Sequence, residues 1–303
     1  MKKQPLKYRM NVIGAALIIF LCVRTYMPML GQTVGLNKNF TVWIIYFMVT
    51  LALSCLLPIA FMEKMCEFHP VLFGRKKFDL SSAAIVAHCM LLFIVMAVVT
   101  SLLLIPLEKA GIVFPVVTLS QTDNFFTLIL YFIFTAAVPA IFEELMLRGL
   151  VLNLLLPYGR RFAVIASALI FTIMHTQIQS FPPVFVAGIV LACIYLYTDN
   201  IYLSMIMHFT NNAYSFIMMY VQQFVGGVSA AGFASFVISV IIVCGICGWF
   251  YLKKAGINIF TMLEKGKEKN ASLSVMVKSP VMVLAVIMCM MSVFAQLYAD
   301  LGL

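Results

Sequence analysis

Charge is what this sequence has least of. Only 10% of its 303 residues are charged, 64% are hydrophobic, and the mean hydropathy is +1.07. A soluble domain carries about 25% charged residues. With so few, the chain cannot cover a water-facing surface, so its main partner is the lipid bilayer. The formal charge of +9 does not imply nucleic acid, because a nucleic-acid binder gathers its basic residues on one folded face. Here they fall in short clusters between apolar runs, and no nucleic-acid partner is expected. H-E-x-x-H is missing, which excludes the zincin helix. Asp199 has no second intramembrane Asp beside it, which excludes an aspartyl dyad. The apolar run after Arg9 has no small-residue cleavage site, so no cleavable signal peptide is expected. Internal repeats and low-complexity tracts are absent too.

What is present is a series of long apolar runs. A spanning helix needs about 20 mostly apolar residues, which places spans near 11–31, 41–63, 82–106, 125–156, 161–177, 183–198, 201–224, 232–252 and 279–299. The expected fold is an all-α, polytopic transmembrane bundle of about eight to nine spans, forming one integral membrane domain over 1–303. Ser180, Phe181, Pro182 and Pro183 mark a turn between two short spans. Lys and Arg stay cytoplasmic, and they alternate by loop. Lys2, Lys3, Lys7 and Arg9 lead the chain, followed by Lys64, Arg75, Lys76 and Lys77, then Arg160 and Arg161. A last cluster holds Lys253, Lys254, Lys265, Lys267 and Lys269, while the intervening loops hold little beyond Lys38 and Lys109. The expected location is a bacterial cytoplasmic membrane with the N-terminus cytoplasmic. The polar stretch 253–279 reads as a surface loop with a short interfacial helix around Ile257–Leu263. Seven of the eight cysteines lie in apolar runs, where free Cys behaves as a small hydrophobe. Cys244 and Cys247 are read as packing residues.

Against this background three charges stand out. Glu143, Glu144 and Arg148 lie well inside the fourth span. Each costs about 2.5–3.5 kcal/mol at a helix centre, so together roughly 9. The Leu, Ile, Phe and Val residues before them return about 6, so the charges must be paired or face a wet cavity. Arg148 follows Glu144 by four residues, the favourable order for an ion pair on one helix face. Glu143 projects about 100° away, leaving one carboxylate tied to Arg148 and the other free for chemistry. Pro139, one turn earlier, removes a backbone hydrogen bond and loosens the helix beside the two acids.

Four histidines complete the picture. His69 lies in a loop with Glu67 and Pro70 and reads as solvated; His88, near the start of the third span, reads as an interfacial polar residue. His175 and His208 lie within or at the end of apolar helices. The fourth and fifth spans turn near Pro157–Gly159, about fifteen residues after Glu143 and seventeen before His175. At 1.5 Å per residue the two sit within about 3 Å in height. His208 and Asn212, four apart, share a helix face, and Phe171 is placed to shield His175. Peptide hydrolysis needs an activated water, an oxyanion stabiliser and a proton donor. A carboxylate among apolar helices is made a stronger base, histidine polarises water or donates a proton, and a neutral Asn amide holds an oxyanion. Alternatively, Glu143, His175 and His208 hold one zinc ion with an open position for water. The cofactor expectation is therefore none or one zinc.

Three motifs run through these residues. Glu143, Glu144 and Arg148 fit E-E-x-x-x-R; Phe171 and His175 fit F-x-x-x-H; His208 and Asn212 fit H-x-x-x-N. In this order, on successive helices, they resemble the CAAX protease and bacteriocin-processing (CPBP, formerly Abi) family of intramembrane peptidases. Arg148-Gly149 and the spacing from Gly188 to Tyr195 also fit. The resemblance covers about 135–215, the expected catalytic core. It implies that Glu143 and His175 activate water, that His208 and Asn212 form an oxyanion site, and that Glu144, Arg148 and Phe171 support them. The implied substrate is a membrane-embedded or membrane-associated peptide or protein. Two other classes stand beside this one. A non-proteolytic scaffold or bacteriocin self-immunity protein would act without Glu143, His175 and His208. A proton-coupled transporter would use the same Glu, His and Arg as an ion path, and the lack of an inverted repeat counts against it.

Overall fold

The computed structural model describes residues 4–69, 78–109, 119, 124–175, 177–264 and 271–300. Lys2, Lys3, Pro70, Arg75, Lys76, Lys77, Lys265, Lys267 and Lys269 lie outside the described residues. Among those described, the long elements are all helical and no strand occurs. We number them α1 (Leu6–Thr33), α2 (Phe40–Cys66), α3 (Leu80–Lys109), α4 (the run Phe125–Tyr158), α5 (Arg160–Met174), α6 (Phe181–Thr198), α7 (Ile201–Tyr220), α8 (Gly227–Lys254) and α9 (Pro280–Asp300). The expected helical bundle is therefore what forms.

Six of these runs are long and apolar enough to cross a membrane: α1, α2, α3, α4, the run Ile178–Thr198 that contains α6, and α8. The other three expected spans are helices of a different kind. α5 has only 15 residues, or about 22 Å of rise. α7 has 20 residues but carries Ser204, His208, Asn211 and Asn212 along its length. The apolar stretch described for α9 is Pro280–Ala295. The short helix expected around Ile257–Leu263 is a 3-10 helix over Ile259–Leu263.

The helix ends follow their local chemistry. Asn39, Asn124 and Asn200 each accept a hydrogen bond from a first-turn amide of α2, α4 and α7, the usual way to satisfy an orphan helix donor. Gly159 turns the chain between α4 and α5 at φ 115°, a region that side chains disfavour. Pro182 and Pro183 sit in the first turn of α6, where a missing amide hydrogen costs little.

Two sets of contacts define the ends of the bundle. At one end Thr41 and Thr127 share a 2.6 Å hydrogen bond, and Tyr46 donates to the Met27 carbonyl at 2.6 Å. At the other, Tyr8 donates to the Met65 carbonyl at 3.0 Å and the Ala271 amide to the Tyr158 carbonyl at 2.8 Å. Arg9 belongs to this second end, and not to a solvated leader. It is 2% exposed, its Nη1 donates to the Leu154 carbonyl at 2.6 Å, and its guanidinium lies 5.5 Å from the Tyr158 ring. The last carbonyls of a helix lack internal donors and attract a cation, so the end of α4 takes Arg9 as its cap.

Around the buried core lies an apolar outer surface. Phe236, Val243 and Phe250 on α8 are each more than half exposed, as lipid-facing residues should be. Cys244 and Cys247 are also exposed and free. They lie on the outer face of α8 and do not pack inside the bundle, whereas Cys55, Cys89, Cys193 and Cys289 are buried. His69 is solvated as expected, 3.6 Å from Glu63 with 93% of its side chain exposed. His88 is half-buried.

Candidate active site

α4 is not a uniform α-helix. Ile133–Ala137 and Leu145–Leu152 widen into π-helical turns, with the α-helical segment Val138–Glu144 between them. Pro139 opens that segment and cannot donate to the turn before it, which accounts for the loosening on its N-terminal side. Such wide turns inside helices recur at functional sites. Glu143 and Glu144 close the central segment, so the local geometry of α4 aims two adjacent carboxylates in different directions.

Glu144 points into protein. It is fully buried, and Arg148 Nη1 donates to its Oε1 at 2.8 Å. Its other oxygen accepts from the Ser204 hydroxyl. His208 Nδ1 lies 3.1 Å from Oε1, and since an ionised carboxylate only accepts, that nitrogen carries the hydrogen. Arg148 is equally enclosed: Nη2 donates to the Gly188 carbonyl at 3.0 Å, and the guanidinium lies 5.1 Å from the Phe171 ring. Gly188 allows this approach. A Cβ there would meet Ala168 Cα at 2.9 Å, pushing α6 off α5. Asn153 Nδ2, 2.8 Å from the Tyr195 hydroxyl, also donates to the Arg148 carbonyl at 2.6 Å.

Glu143 points the other way. It is 8% exposed, and its Oε2 is buried without a hydrogen-bond partner, 3.9 Å from His208 Nε2. A buried carboxylate oxygen left unsatisfied is costly, so the position suits a water or a polar group of a ligand. His175 ends α5 in an extended conformation (φ −92°, ψ 108°). Its Nδ1 sits 2.9 Å from the Phe171 carbonyl; a carbonyl can only accept, so Nδ1 is the donor. In the neutral ring this leaves Nε2 as a free acceptor. The Phe171 ring stands edge-on to both imidazoles, 4.7 Å from His175 and 5.8 Å from His208, and fixes them between two helices.

Glu143, His175, His208 and Asn212 line one cavity of about 300 Å³, together with Arg24, Leu51, Thr135, Pro139 and Ser215. Glu144, Arg148 and Phe171 are not on its wall but stand behind it. The structure thus brings all seven expected residues together and separates them into an inner wall and a backing layer. Cavities of about 400 and 430 Å³ also exist, beside His88 with Lys253 and beside Asp79 with Asn200, but neither joins a carboxylate to a histidine. Among the described residues no group of three or more His, Cys, Asp or Glu side chains is gathered to hold a metal ion. As arranged here, Glu143, His175 and His208 do not fit a zinc ion.

Three residues of the site escaped sequence reasoning. Arg24 carried a signal, since it is a charge inside the expected span 11–31. Ser204 carried a weaker one, lying four residues before His208 on the same helix face. Asn153 carried none.

The fold and the site together define a helical membrane protein built around a buried carboxylate–histidine–amide cluster. Residues 125–214 match the family model described as Rce1-like, type II CAAX prenyl endopeptidase Rce1-like. This segment, which contains all three motifs, therefore carries a domain of that peptidase family, in agreement with the CPBP resemblance. No curated protein and no solved structure matches the chain.

Proposed function

We propose that this protein is an intramembrane endopeptidase that hydrolyses a peptide bond in a membrane-embedded or membrane-associated substrate. The observation that carries the reading is the unpartnered Glu143 Oε2 facing His208 Nε2 across a cavity that also holds His175 and Asn212. Glu143 takes the proton from a water held by its free oxygen and by His175 Nε2, as a general base. The water attacks the carbonyl carbon, and the negative charge that develops on the carbonyl oxygen is met by the Asn212 amide and, when the His208 ring carries a proton on both nitrogens, by its Nε2–H. Preformed donors aimed at developing charge account for much of the acceleration in such reactions. Glu143 then returns its proton to the leaving amine.

Glu144 and Arg148 act one step behind. A carboxylate holding imidazole Nδ1–H fixes the orientation and tautomer of the ring. Glu144 does this for His208, and Arg148 with Ser204 holds Glu144. No step is routed through a metal. The family match supports peptidase chemistry, and the geometry supports this division of roles.

The cavity runs from Glu143 and His175 toward Phe134, Arg24 and Met219, the end of the bundle marked by Thr41 and Thr127. The basic loop residues Lys7, Lys64, Arg160, Arg161, Lys253 and Lys254 lie toward the opposite end. Read with the positive-inside bias, the N-terminus is cytoplasmic and the substrate reaches the site from the other face. Substrate trapping tests the reading: a Glu143→Gln variant in native membranes should retain uncleaved proteins that the parent releases, identified by mass spectrometry. Identical captured sets for parent and variant would refute it.

A further inference from the structure

α3 and α8 pack through glycine. A Cβ on Gly245 would meet Leu91 Cβ at 2.5 Å, and one on Gly248 would meet the Ala84 carbonyl oxygen at 2.8 Å and the His88 backbone nitrogen at 3.5 Å. Just past this close approach α8 carries Trp249, Leu252 and Lys253, and there the two helices and residues 256–260 enclose a cavity of about 400 Å³. Its whole wall lies outside residues 125–214, so the site is independent of the peptidase reading. The His88 ring meets the Gly245 carbonyl, while its Nδ1 is buried with no hydrogen-bond partner. A carbonyl only accepts, so in a neutral ring the hydrogen sits on the nitrogen turned to Gly245, and Nδ1 is left as a bare acceptor. Such an atom costs free energy until a donor fills it. Lys253 is exposed, and its ammonium lies 5.2 Å from the centre of the Trp249 ring. Trp249 directly follows Gly248, so this contact draws the charge back along α8 toward the level of His88.

We propose that this cavity binds an anionic glycerophospholipid whose headgroup carries a free hydroxyl, as phosphatidylglycerol does. Lys253 holds the phosphate. Asn258 assists it: Oδ1 accepts from the Phe260 amide at 3.0 Å, which leaves Nδ2 to donate. A headgroup hydroxyl fills His88 Nδ1. No Asp or Glu lines the cavity to oppose the phosphate. The rest of the wall includes Ile85, Leu252, Ile257 and Phe260, a surface that gains from covering by hydrocarbon and not by a soluble phosphate. The cavity lies beside the lipid-facing side of α8, where Trp249 and Phe250 are 42% and 59% exposed, so the acyl chains run along that face. Trp and Lys together at a helix end mark the membrane–water interface, the depth at which a headgroup sits. Zwitterionic lipids match less well. A choline headgroup has no hydrogen to give His88, and an ethanolamine headgroup brings a second cation beside Lys253.

The test uses fluorescence quenching. The chain has two tryptophans, so Trp43→Phe leaves Trp249, on the cavity wall, as the sole reporter. The full-length Trp43→Phe protein is placed in phosphatidylcholine vesicles with a small fraction of one lipid brominated on its acyl chains. The brominated lipids are phosphatidylglycerol, phosphatidylethanol (equal in charge but without the hydroxyl) and phosphatidylcholine. Phosphatidylglycerol should quench Trp249 as if enriched about fivefold over phosphatidylcholine, the worth of one Lys charge at a membrane surface, with phosphatidylethanol between them. Added in the same background, Lys253→Gln should bring the enrichment close to one, whereas Lys254→Gln, off the cavity wall, should leave it. His88→Leu should make phosphatidylglycerol and phosphatidylethanol equal while both stay above phosphatidylcholine. Equal quenching by all three lipids in the Trp43→Phe background overturns the proposal without any further substitution. Equal losses in Lys253→Gln and Lys254→Gln overturn it too, because they show a diffuse surface charge. So does loss of the enrichment in glycerol phosphate but not in sodium chloride of equal ionic strength, which would assign the cavity to a soluble phosphate.

Discussion

Replacing Arg148 with Gln keeps a polar side chain of useful length but removes the guanidinium paired with Glu144. The structure sets the cost. Glu144 is fully buried and Arg148 is 1% exposed, so neither can turn to water. Loss of the guanidinium strips Glu144 of its 2.8 Å ion pair and the Gly188 carbonyl of its 3.0 Å donor, leaving Ser204 and His208 to hold a buried charge. Removing one partner of a buried pair costs about 3–5 kcal/mol, much of it the penalty of the abandoned charge. Replacing Glu144 with Gln as well removes that charge, so the double variant should lose less than the sum of the singles, by about 1 kcal/mol or more. Equilibrium unfolding of purified protein in mild detergent or bicelles measures all four states of the cycle. A loss below about 0.5 kcal/mol for Arg148→Gln, the scale of a surface change, would refute the reasoning. So would strict additivity of the two substitutions.

Other consequences follow from the same geometry. Gly188→Val places a Cβ 2.9 Å from Ala168 Cα; the overpacked α5–α6 contact should cost about 1–3 kcal/mol, read as a lower unfolding temperature, and an unchanged temperature would contradict it. Asn212→Ala should leave the helical circular-dichroism spectrum intact while reducing kcat about 10²–10³-fold, the cost of one oxyanion donor; a change confined to KM would move Asn212 from the reaction to substrate binding.

Much of this site was legible before any coordinates, and the part that was not has a common cause. Within one helix, spacing is geometry: the four-residue interval between Glu144 and Arg148 was enough to pair them, and the pair is present at 2.8 Å. Antiparallel hairpin arithmetic placed Glu143 and His175 at one height, and they line one cavity. Contacts between helices depend on rotation about each axis, which hydropathy does not report. Hence the Ser204–Glu144 and His208–Glu144 bonds had no sequence signature, and Glu144 was assigned to Arg148 alone. Arg9 was misplaced for a related reason. A basic residue near a chain start looks like a loop charge, and only the docking of α1 against the end of α4 turns it into a cap for the Leu154 carbonyl. Cys244 and Cys247 sit in an apolar run whether they face lipid or protein, so composition alone could not tell that they face outward.

The most direct measurement is cleavage by the purified, reconstituted protein and its Glu143→Gln variant, with unfolding followed in parallel. Glu143 Oε2 is buried and unpartnered, which costs the fold. The account predicts that Glu143→Gln abolishes cleavage while stability stays level or rises. Retained cleavage, or a loss of activity that merely tracks a loss of folded protein, would contradict it.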